Sequence, residues 1–296
     1  GVLAVISAYP GSNMTDFLSA YTIQRWLELC PQGYLADTVD GHGPDEAEPD
    51  ILLTDDDMRT DAIRTTVQLV AGERAALAAS SGLINSAPDL GSKTFLATQT
   101  LDEARHVEIF TQRLYDLGVK PADLESTIDH FANPHLVKFA GVLLEKVNAG
   151  DFIAGVVGQN IVLEGMAFSV FEMIEAGSRE LNPKFAHTLR GTIADERRHV
   201  GFGENTIGAL IRQHPEKKSE IEDMQREMAY HMLMTFSSSF AEGDSALEKN
   251  RETIGEQGPA DYHGTDLSTA SSEDMQAVLA NTVVGEFETR LARIGL

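Results

Sequence analysis

One short string occurs twice in the chain, as Asp102-Glu103-Ala104-Arg105-His106-Val107 and as Asp195-Glu196-Arg197-Arg198-His199-Val200. Residues three apart on a helix lie on nearly one face and one turn apart, so each string aims a carboxylate and an imidazole at a common point. Each can clamp one metal ion. A helical bundle that holds two ions needs two such Glu-x-x-His helices and one inward glutamate from each of two further helices. Glu73 stands 30 residues before Glu103, and Glu164 stands 32 residues before Glu196, each with a turn between. The arms from ligand to turn are of similar length in both hairpins, so antiparallel packing brings the paired ligands to one height. Glu73 shares its face with Thr66, Leu69, Val70 and Leu77, and Glu164 sits among Val157, Ile161, Phe168 and Phe171. Four carboxylates and two neutral imidazoles balance most of the charge on two divalent ions, and this oxygen and nitrogen donor set suits iron or manganese.

Plainer readings compete with each of these residues. A single Glu-x-x-His occurs often on exposed helices, and it is the repetition, with Asp before and Arg inside, that separates these two from background. A glutamate on an apolar stripe can instead partner a buried arginine, and Arg74 beside Glu73 keeps that alternative open. Glu172 lies eight residues after Glu164, which turns it roughly 80 degrees away on an α-helix and takes it out of the ligand set. His130, His135, His187 and His231 read as structural or exposed histidines, and Tyr115 and Trp26 as packing residues.

Helices must position these ligands. The first core helix is expected to start at Thr54, followed by Asp55, Asp56 and Asp57, since a hydroxyl acceptor and acids suit the positive helix end. It runs to about Ser81. A turn over Gly82 to Gly91 leads to a second helix from about Ser92 to Leu117, ended by Gly118 and Pro121. A third segment starts near Pro134, breaks at Gly150 and continues from Asp151 to about Ala176. The fourth starts at Pro183 and runs through His199 towards Ile211, and further helices are expected at about Lys217 to Glu242 and Ser272 to Ile294. No stretch alternates with a period of two over a useful length, so the class is all-α. Three regions follow: an N-terminal extension over 1–53 with a short helix around Phe17 to Leu29 and an irregular acidic segment, a metal-binding helical domain over 54–248, and a polar connection with a C-terminal helix over 249–296.

With 46 acidic residues against 23 Lys and Arg, the net charge of -23 opposes binding to nucleic acid or to anionic membranes. A single cysteine, Cys30, leaves no internal disulfide and no thiolate-rich metal site, and it fits a reducing compartment. The apolar opening residues lack a basic leader region and read as mature protein. Gln159, Asn160, Glu164 and Glu172 interrupt the most apolar stretch, from Phe152 to Ile174, so no membrane span is expected. The expectation is a soluble, cytoplasmic protein.

The set Glu73, Glu103-x-x-His106, Glu164 and Glu196-x-x-His199 resembles the ligand set of the ferritin-like di-iron carboxylate proteins over roughly residues 54 to 215. That resemblance implies a ferritin-like four-helix bundle with additional N- and C-terminal helices, and two iron ions, or one manganese and one iron. Asp-Glu-x-Arg-His is similar to the pattern of bacterial multicomponent monooxygenases and acyl carrier protein desaturases, which implies that Asp102 and Asp195 orient the histidines while Arg105 and Arg198 fix those acids. Leu69-Val70-Ala71-Gly72, the run from Asp102 to Phe110, and Val162-Leu163-Glu164-Gly165 resemble most the ligand-binding oxidases that are similar to the ribonucleotide reductase small subunit. Two departures stand out. Radical-bearing small subunits place a tyrosine four residues after the first ligand histidine, where this chain has Phe110. The ligand-binding oxidases place a cross-linking tyrosine five residues before the third-helix glutamate, where this chain has Gln159.

What the resemblance implies is a dioxygen-activating oxygenase or oxidase, a monooxygenase among the options, acting on a small or medium organic substrate by hydroxylation, N-oxygenation or desaturation. Its electron donor would be a ferredoxin, a flavin reductase or a small reductant, and its assembly a homodimer. Thr100, Phe110, Ala167, Phe168 and Phe171 are candidate pocket walls by nearness and facing. A ferritin-like ferroxidase is the alternative, opposed by the long extensions beyond the core. A small subunit of ribonucleotide reductase lacking the usual radical tyrosine is a further alternative, weakened by Phe110.

Overall fold

The computed structural model describes residues 42–249, 261–267 and 269–296. The expected helix around Phe17 to Leu29, Trp26 and Cys30 lie outside the described residues. The chain is helical almost throughout: α1 (Ile51–Thr54), α2 (Asp56–Ser86), α3 (Leu90–Asp116), α4 (Leu124–Phe131), α5 (Pro134–Asn148), α6 (Phe152–Ser178), α7 (Pro183–Gln213) and α8 (Lys218–Lys249). A last helical region, α9, comprises Ser272–Val278, Leu279–Val284 and Gly285–Ile294. Among the described residues the strands are one small antiparallel pair, β1 (Asp261–Tyr262) and β2 (Thr265–Asp266), inside the expected polar connection. The class is all-α, and the core is a bundle in which α2 packs along α3 and α6 along α7.

Helix ends follow their side chains. Asp89 accepts a hydrogen bond from Ser92 N at 2.8 Å to start α3, and Asn182 accepts from Phe185 N at 3.1 Å, with Pro183 at the first helical position, to start α7. Gly118 closes α3 at φ 95°, with Val119 N donating to Leu114 O at 3.0 Å and Gly118 N to Tyr115 O at 2.9 Å, a Schellman ending that demands a left-handed residue. Two boundaries differ from the sequence expectation. Thr54 does not cap α2; Ile51 to Thr54 make their own turn with Leu52 buried, and Asp55, a charged acceptor better matched to the helix dipole, caps α2 through Met58 N at 2.9 Å. The turn after α2 is also shorter than Gly82 to Gly91. Gly82 lies within α2, where a Cβ would come 2.5 Å from Val147 Cγ1, so that glycine serves helix packing and not a turn. The short α4, absent from the sequence expectation, buries Leu124 and Ile128.

These boundaries set the height of the ligands. Glu73 lies 13 residues before Ser86 and Glu103 lies 13 after Leu90; Glu164 lies 14 before Ser178 and Glu196 lies 13 after Pro183. At 1.5 Å per residue, all four sit about 20 Å from their turns.

By length and mean hydropathy α6 could cross a membrane, yet 83% of its most apolar window is buried in the bundle. It is the core helix. Its middle, Val157–Leu163, is a π-helical turn with every residue buried. Gly203 of α7 faces that turn, and a Cβ there would stand 2.6 Å from Asn160 Cβ and 3.2 Å from Asn160 backbone carbon. Backbone cannot yield as a flexible side-chain tip can. Gly203→Ala is expected to lower unfolding free energy by about 1 to 3 kcal/mol through overpacking, measured by denaturant unfolding; an unchanged midpoint would show that α6 and α7 are not held in contact there.

Candidate metal centre

The six predicted ligands converge in the bundle core. Glu73, Glu103, His106, Glu164, Glu196 and His199 are all buried, none more than 5% exposed. His106 Nδ1 lies 3.4 Å from Glu73 Oε2, 3.3 Å from Glu103 Oε2 and 3.4 Å from Glu196 Oε1. His199 Nδ1 lies 3.3 Å from Glu103 Oε1, 3.6 Å from Glu164 Oε2 and 3.5 Å from Glu196 Oε2. Glu103 and Glu196 each turn one oxygen to either histidine, so they can be shared by two cations, while Glu73 and Glu164 belong to one side each. Donor atoms within each of two groups, Glu73, Glu103, His106 and Glu196 on one side and Glu103, Glu164 and His199 on the other, lie within 4.8 Å of one another.

The donor atoms also satisfy a chemical test. Glu103 Oε2, Glu164 Oε2, Glu196 Oε2 and both Nδ1 atoms are buried without a hydrogen-bond partner. A folded core rarely leaves so many polar atoms unpaired in one place unless a ligand completes them. The residues present fit two divalent cations.

The motif aspartates work across the bundle. His106 Nε2 lies 3.0 Å from Asp195 Oδ2, and His199 Nε2 lies 3.0 Å from Asp102 Oδ2. Each imidazole donates from Nε2 to the aspartate of the other string, which fixes the tautomer whose Nδ1 lone pair faces the site. Arg105 donates to Asp195 at 2.8 Å, and Arg198 donates to Asp102 at 2.8 Å and to Asp195 at 3.0 Å. Arg74 is committed elsewhere, forming a two-pronged pair with Glu125 at 3.0 and 2.9 Å. That answers the competing reading of Glu73, whose carboxylate faces His106.

Electrostatics report the same crowding. Burial pushes the Glu73 carboxyl up to about 8 despite His106 beside it. Burial, then the Glu196 carboxylate, raises Glu164 well above the usual carboxylate range. Burial also works to raise Glu103, yet His199 and His106 outweigh it and hold that carboxyl low. Both imidazoles are carried well above their ordinary value against the effect of burial, His106 chiefly by Glu73 and His199 chiefly by Glu164 and Glu103. Protons therefore collect where cations would sit.

Three buried amides were not foreseen as site residues. Gln99 Nε2 donates to Glu164 Oε1 at 2.6 Å and to Glu103 Oε1 at 3.1 Å; Gln159 Nε2 donates to Glu164 Oε1 at 3.3 Å; Asn160 Nδ2 donates to Gln99 Oε1 at 2.9 Å and to His199 O at 3.0 Å. The available signal was weak. Gln99 lies one turn before Glu103, and Gln159 and Asn160 are amides in an apolar run.

A cavity of about 360 Å³ reaches the centre, with Glu73, Glu164 and Glu196 among its walls. Its sides are apolar, including Leu69, Gly72 and Ala76 of α2, Leu163, Ala167, Val170 and Phe171 of α6, and Met232 and Phe236 of α8. Asp61, Arg64 and Gln68 line it further along α2, Arg64 roughly 14 Å from Glu73 by helical rise. Of the expected walls, Ala167 and Phe171 line this space, while Thr100, Phe110 and Phe168 do not. Thr100 donates to Leu96 O at 2.7 Å; Phe110 is fully buried with its ring centroid 6.4 Å from that of Phe171; Phe168 lies under the guanidinium of Arg290 at 5.1 Å. Helical phase near a ligand does not by itself tell which side of a helix meets empty space.

The fold is a ferritin-like helical bundle whose core carries a cluster of carboxylates and histidines able to hold two metal ions. Solved structures similar to it include R2-like ligand-binding oxidase: one with an aerobically reconstituted metal cofactor after photoconversion, 16% identical, covering 92% of both chains at a TM-score of 0.68; a point variant with an Fe/Fe cofactor, 18% identical over 82% of both chains at 0.65; and a point variant with a Mn/Fe cofactor, 18% identical over 81% of both chains at 0.63. At such identities the likeness establishes the fold. Neither a protein-family model nor a curated protein matches the sequence.

Two outcomes test the geometry. Glu73, Glu164, His106 and His199 all have raised pKa values, so each stabilises the metal-free fold below its ordinary pKa, and that contribution is lost as pH rises through the raised value, near 8 for Glu73. The melting temperature of the metal-free protein is expected to fall between about pH 6 and about pH 9, while the gain on adding Fe(II) or Mn(II) grows because fewer protons must be displaced. Calorimetric scans with and without metal read both trends, and a metal increment that shrinks over this interval would contradict the site. The crossed pairing predicts that Asp195→Asn weakens metal binding by about 10- to 100-fold and disturbs the His106 imidazole, not that of His199 in its own string, as followed by histidine NMR signals in a diamagnetic Zn(II)-loaded sample.

Proposed function

We propose that this protein is a dioxygen-activating non-haem oxygenase or oxidase with a dinuclear iron, or manganese and iron, centre, acting on an organic substrate held in the apolar cavity. The observation that carries this reading is the junction of the two features: three of the six ligands, Glu73, Glu164 and Glu196, are also cavity walls. A molecule in the cavity meets the metal ligands directly.

Bound at this site, the metal pair would supply the electrons that reduce dioxygen and the oxidising power that attacks the substrate. The remaining work falls to the chain. Glu103 and Glu196, each with an oxygen near either histidine, would help to hold both cations, and the Asp102 and Asp195 carboxylates keep both imidazoles turned with Nδ1 inward. The apolar walls exclude water, which strengthens the charge interactions inside and protects a reactive centre from side reactions. Ala167 and Phe171, following Glu164 by about one and two turns on α6, set how closely a substrate carbon or nitrogen can approach. Hydroxylation, N-oxygenation and desaturation fit this arrangement alike, each taking two electrons from the substrate and two from an external donor such as a ferredoxin, a flavin reductase or a small reductant. The charge of -23 favours a cationic face on a protein donor. A cytoplasmic setting and a homodimer belong to the same proposal.

The fully buried Phe110, in place of a tyrosine beside the first histidine, supports assigning oxidation to a cavity-bound molecule and not to a stored tyrosyl radical. The test is oxygen uptake by Fe(II)-loaded protein with reductant, alongside an Ala167→Phe variant that fills the cavity. The expected result is unchanged metal content with turnover of any cavity-bound organic substrate lowered by about tenfold or more. Iron oxidation that proceeds equally in both forms, with no organic product, would favour the ferroxidase reading and overturn this one.

A further inference from the structure

We propose that Gln99, Gln159 and Asn160 form a positioning network that pins Glu164 by its Oε1 and so commits Oε2 to the metal on the His199 side. This rests on the metal-centre reading above and concerns residues that reading leaves without a role. Glu164 Oε1 receives two amide hydrogen bonds, from Gln99 at 2.6 Å and Gln159 at 3.3 Å, while Oε2 has none and lies 3.6 Å from His199 Nδ1. Carboxylates accept such bonds strongly in a dry interior, so the two oxygens of Glu164 are made unequal.

The π-helical turn is what makes this possible. On an α-helix, residues five apart point roughly 140 degrees away from each other, so Gln159 could not touch Glu164. Where the turn widens to an i to i+5 period, as over Val157–Leu163, they stack. Gln159 is held in turn by donating to Ala76 O on α2 at 3.1 Å. Asn160, fixed to His199 O at 3.0 Å and wedged against Gly203, donates to Gln99 Oε1 at 2.9 Å and thereby turns the Gln99 amide so that its nitrogen faces Glu164 and Glu103. Asn160 thus sets the Gln99 amide, while backbone carbonyls of Ala76 and His199 set Gln159 and Asn160. The other side is built differently: both terminal glutamates border the cavity, but the polar contact of Glu73 among the described residues is with His106 and not with an amide. One terminal glutamate is pinned by amide donors, and the other is not.

The test uses the full chain stripped of metal and titrated anaerobically with Co(II), read by visible absorption. Wild type should take two equivalents. Gln99→Met and Gln159→Met, near in size and unbranched, remove the donors with little change in volume. Each is expected to keep one equivalent at wild-type affinity and to weaken the other by about 10- to 100-fold, with a changed cobalt spectrum for the weakened site. In a Glu164→Gln background Gln159→Met, whose amide touches no other ligand, should cause no further loss, because its effect runs through that carboxylate. The proposal is overturned if both equivalents weaken together, if the loss persists in the Glu164→Gln background, or if neither Met variant folds, which would make the amides structural. A wild type that fails to take two equivalents strikes the metal reading itself, before any variant is compared.

Discussion

The structure depends on one electrostatic constraint: four carboxylates and two imidazoles are gathered into the buried centre of the bundle, where their charges repel and water cannot screen them. Left to themselves, such groups would open the core or take up protons, and the raised values of Glu73, Glu164, His106 and His199 express that pressure. Two divalent cations would answer it directly. The surroundings are consistent with a core organised around cations, since Arg105 and Arg198 stand behind the aspartates and not among the ligands. Positive charge is thereby kept just outside the centre, leaving the interior to be neutralised by metal.

The crossing of Asp102 to His199 and of Asp195 to His106 ties this electrostatic arrangement to the packing of helices. A bond within one string would orient a histidine but leave α3 and α7 independent. A bond across the bundle makes each histidine's orientation a measure of the distance between those helices. The centre thus holds the bundle together at the level where its charges would otherwise push it apart. The ion pair of Glu48 with Arg113, joined by Asn182 and Thr66, ties the segment preceding α1 to α2, α3 and the start of α7 in a similar way away from the ligands.

Symmetry ends at the third shared feature. Both halves supply a terminal glutamate from the helix preceding the Glu-x-x-His helix, and both place it at one height. Only α6 departs from α-helical winding beside its ligand. That departure brings buried amides to Glu164, whereas α2 winds regularly past Glu73 and brings it none. Which terminal glutamate is held by amide hydrogen bonds is therefore set by one widened turn.

Much of this was legible in the sequence because it is encoded locally. The Glu-x-x-His spacing has meaning on any helix, the 30- and 32-residue separations survive any reasonable placement of the turns, and the lack of strand periodicity fixes the class. Errors fell where competing local signals had nearly equal weight, as between Thr54 and Asp55 for a cap, or where a glycine could serve either a turn or a close helix contact, as at Gly82. Tertiary structure alone decided three things. It chose which aspartate supports which histidine, because the two strings carry the same residue types and either aspartate could serve either imidazole once the helices meet. It also aligned Gln159 with Glu164, since a widened turn changes the period on which every facing argument relies. Last, it placed the cavity beside Ala167 and Phe171 and not beside Thr100, Phe110 or Phe168, because empty space belongs to the gap between helices and is written in none of them singly.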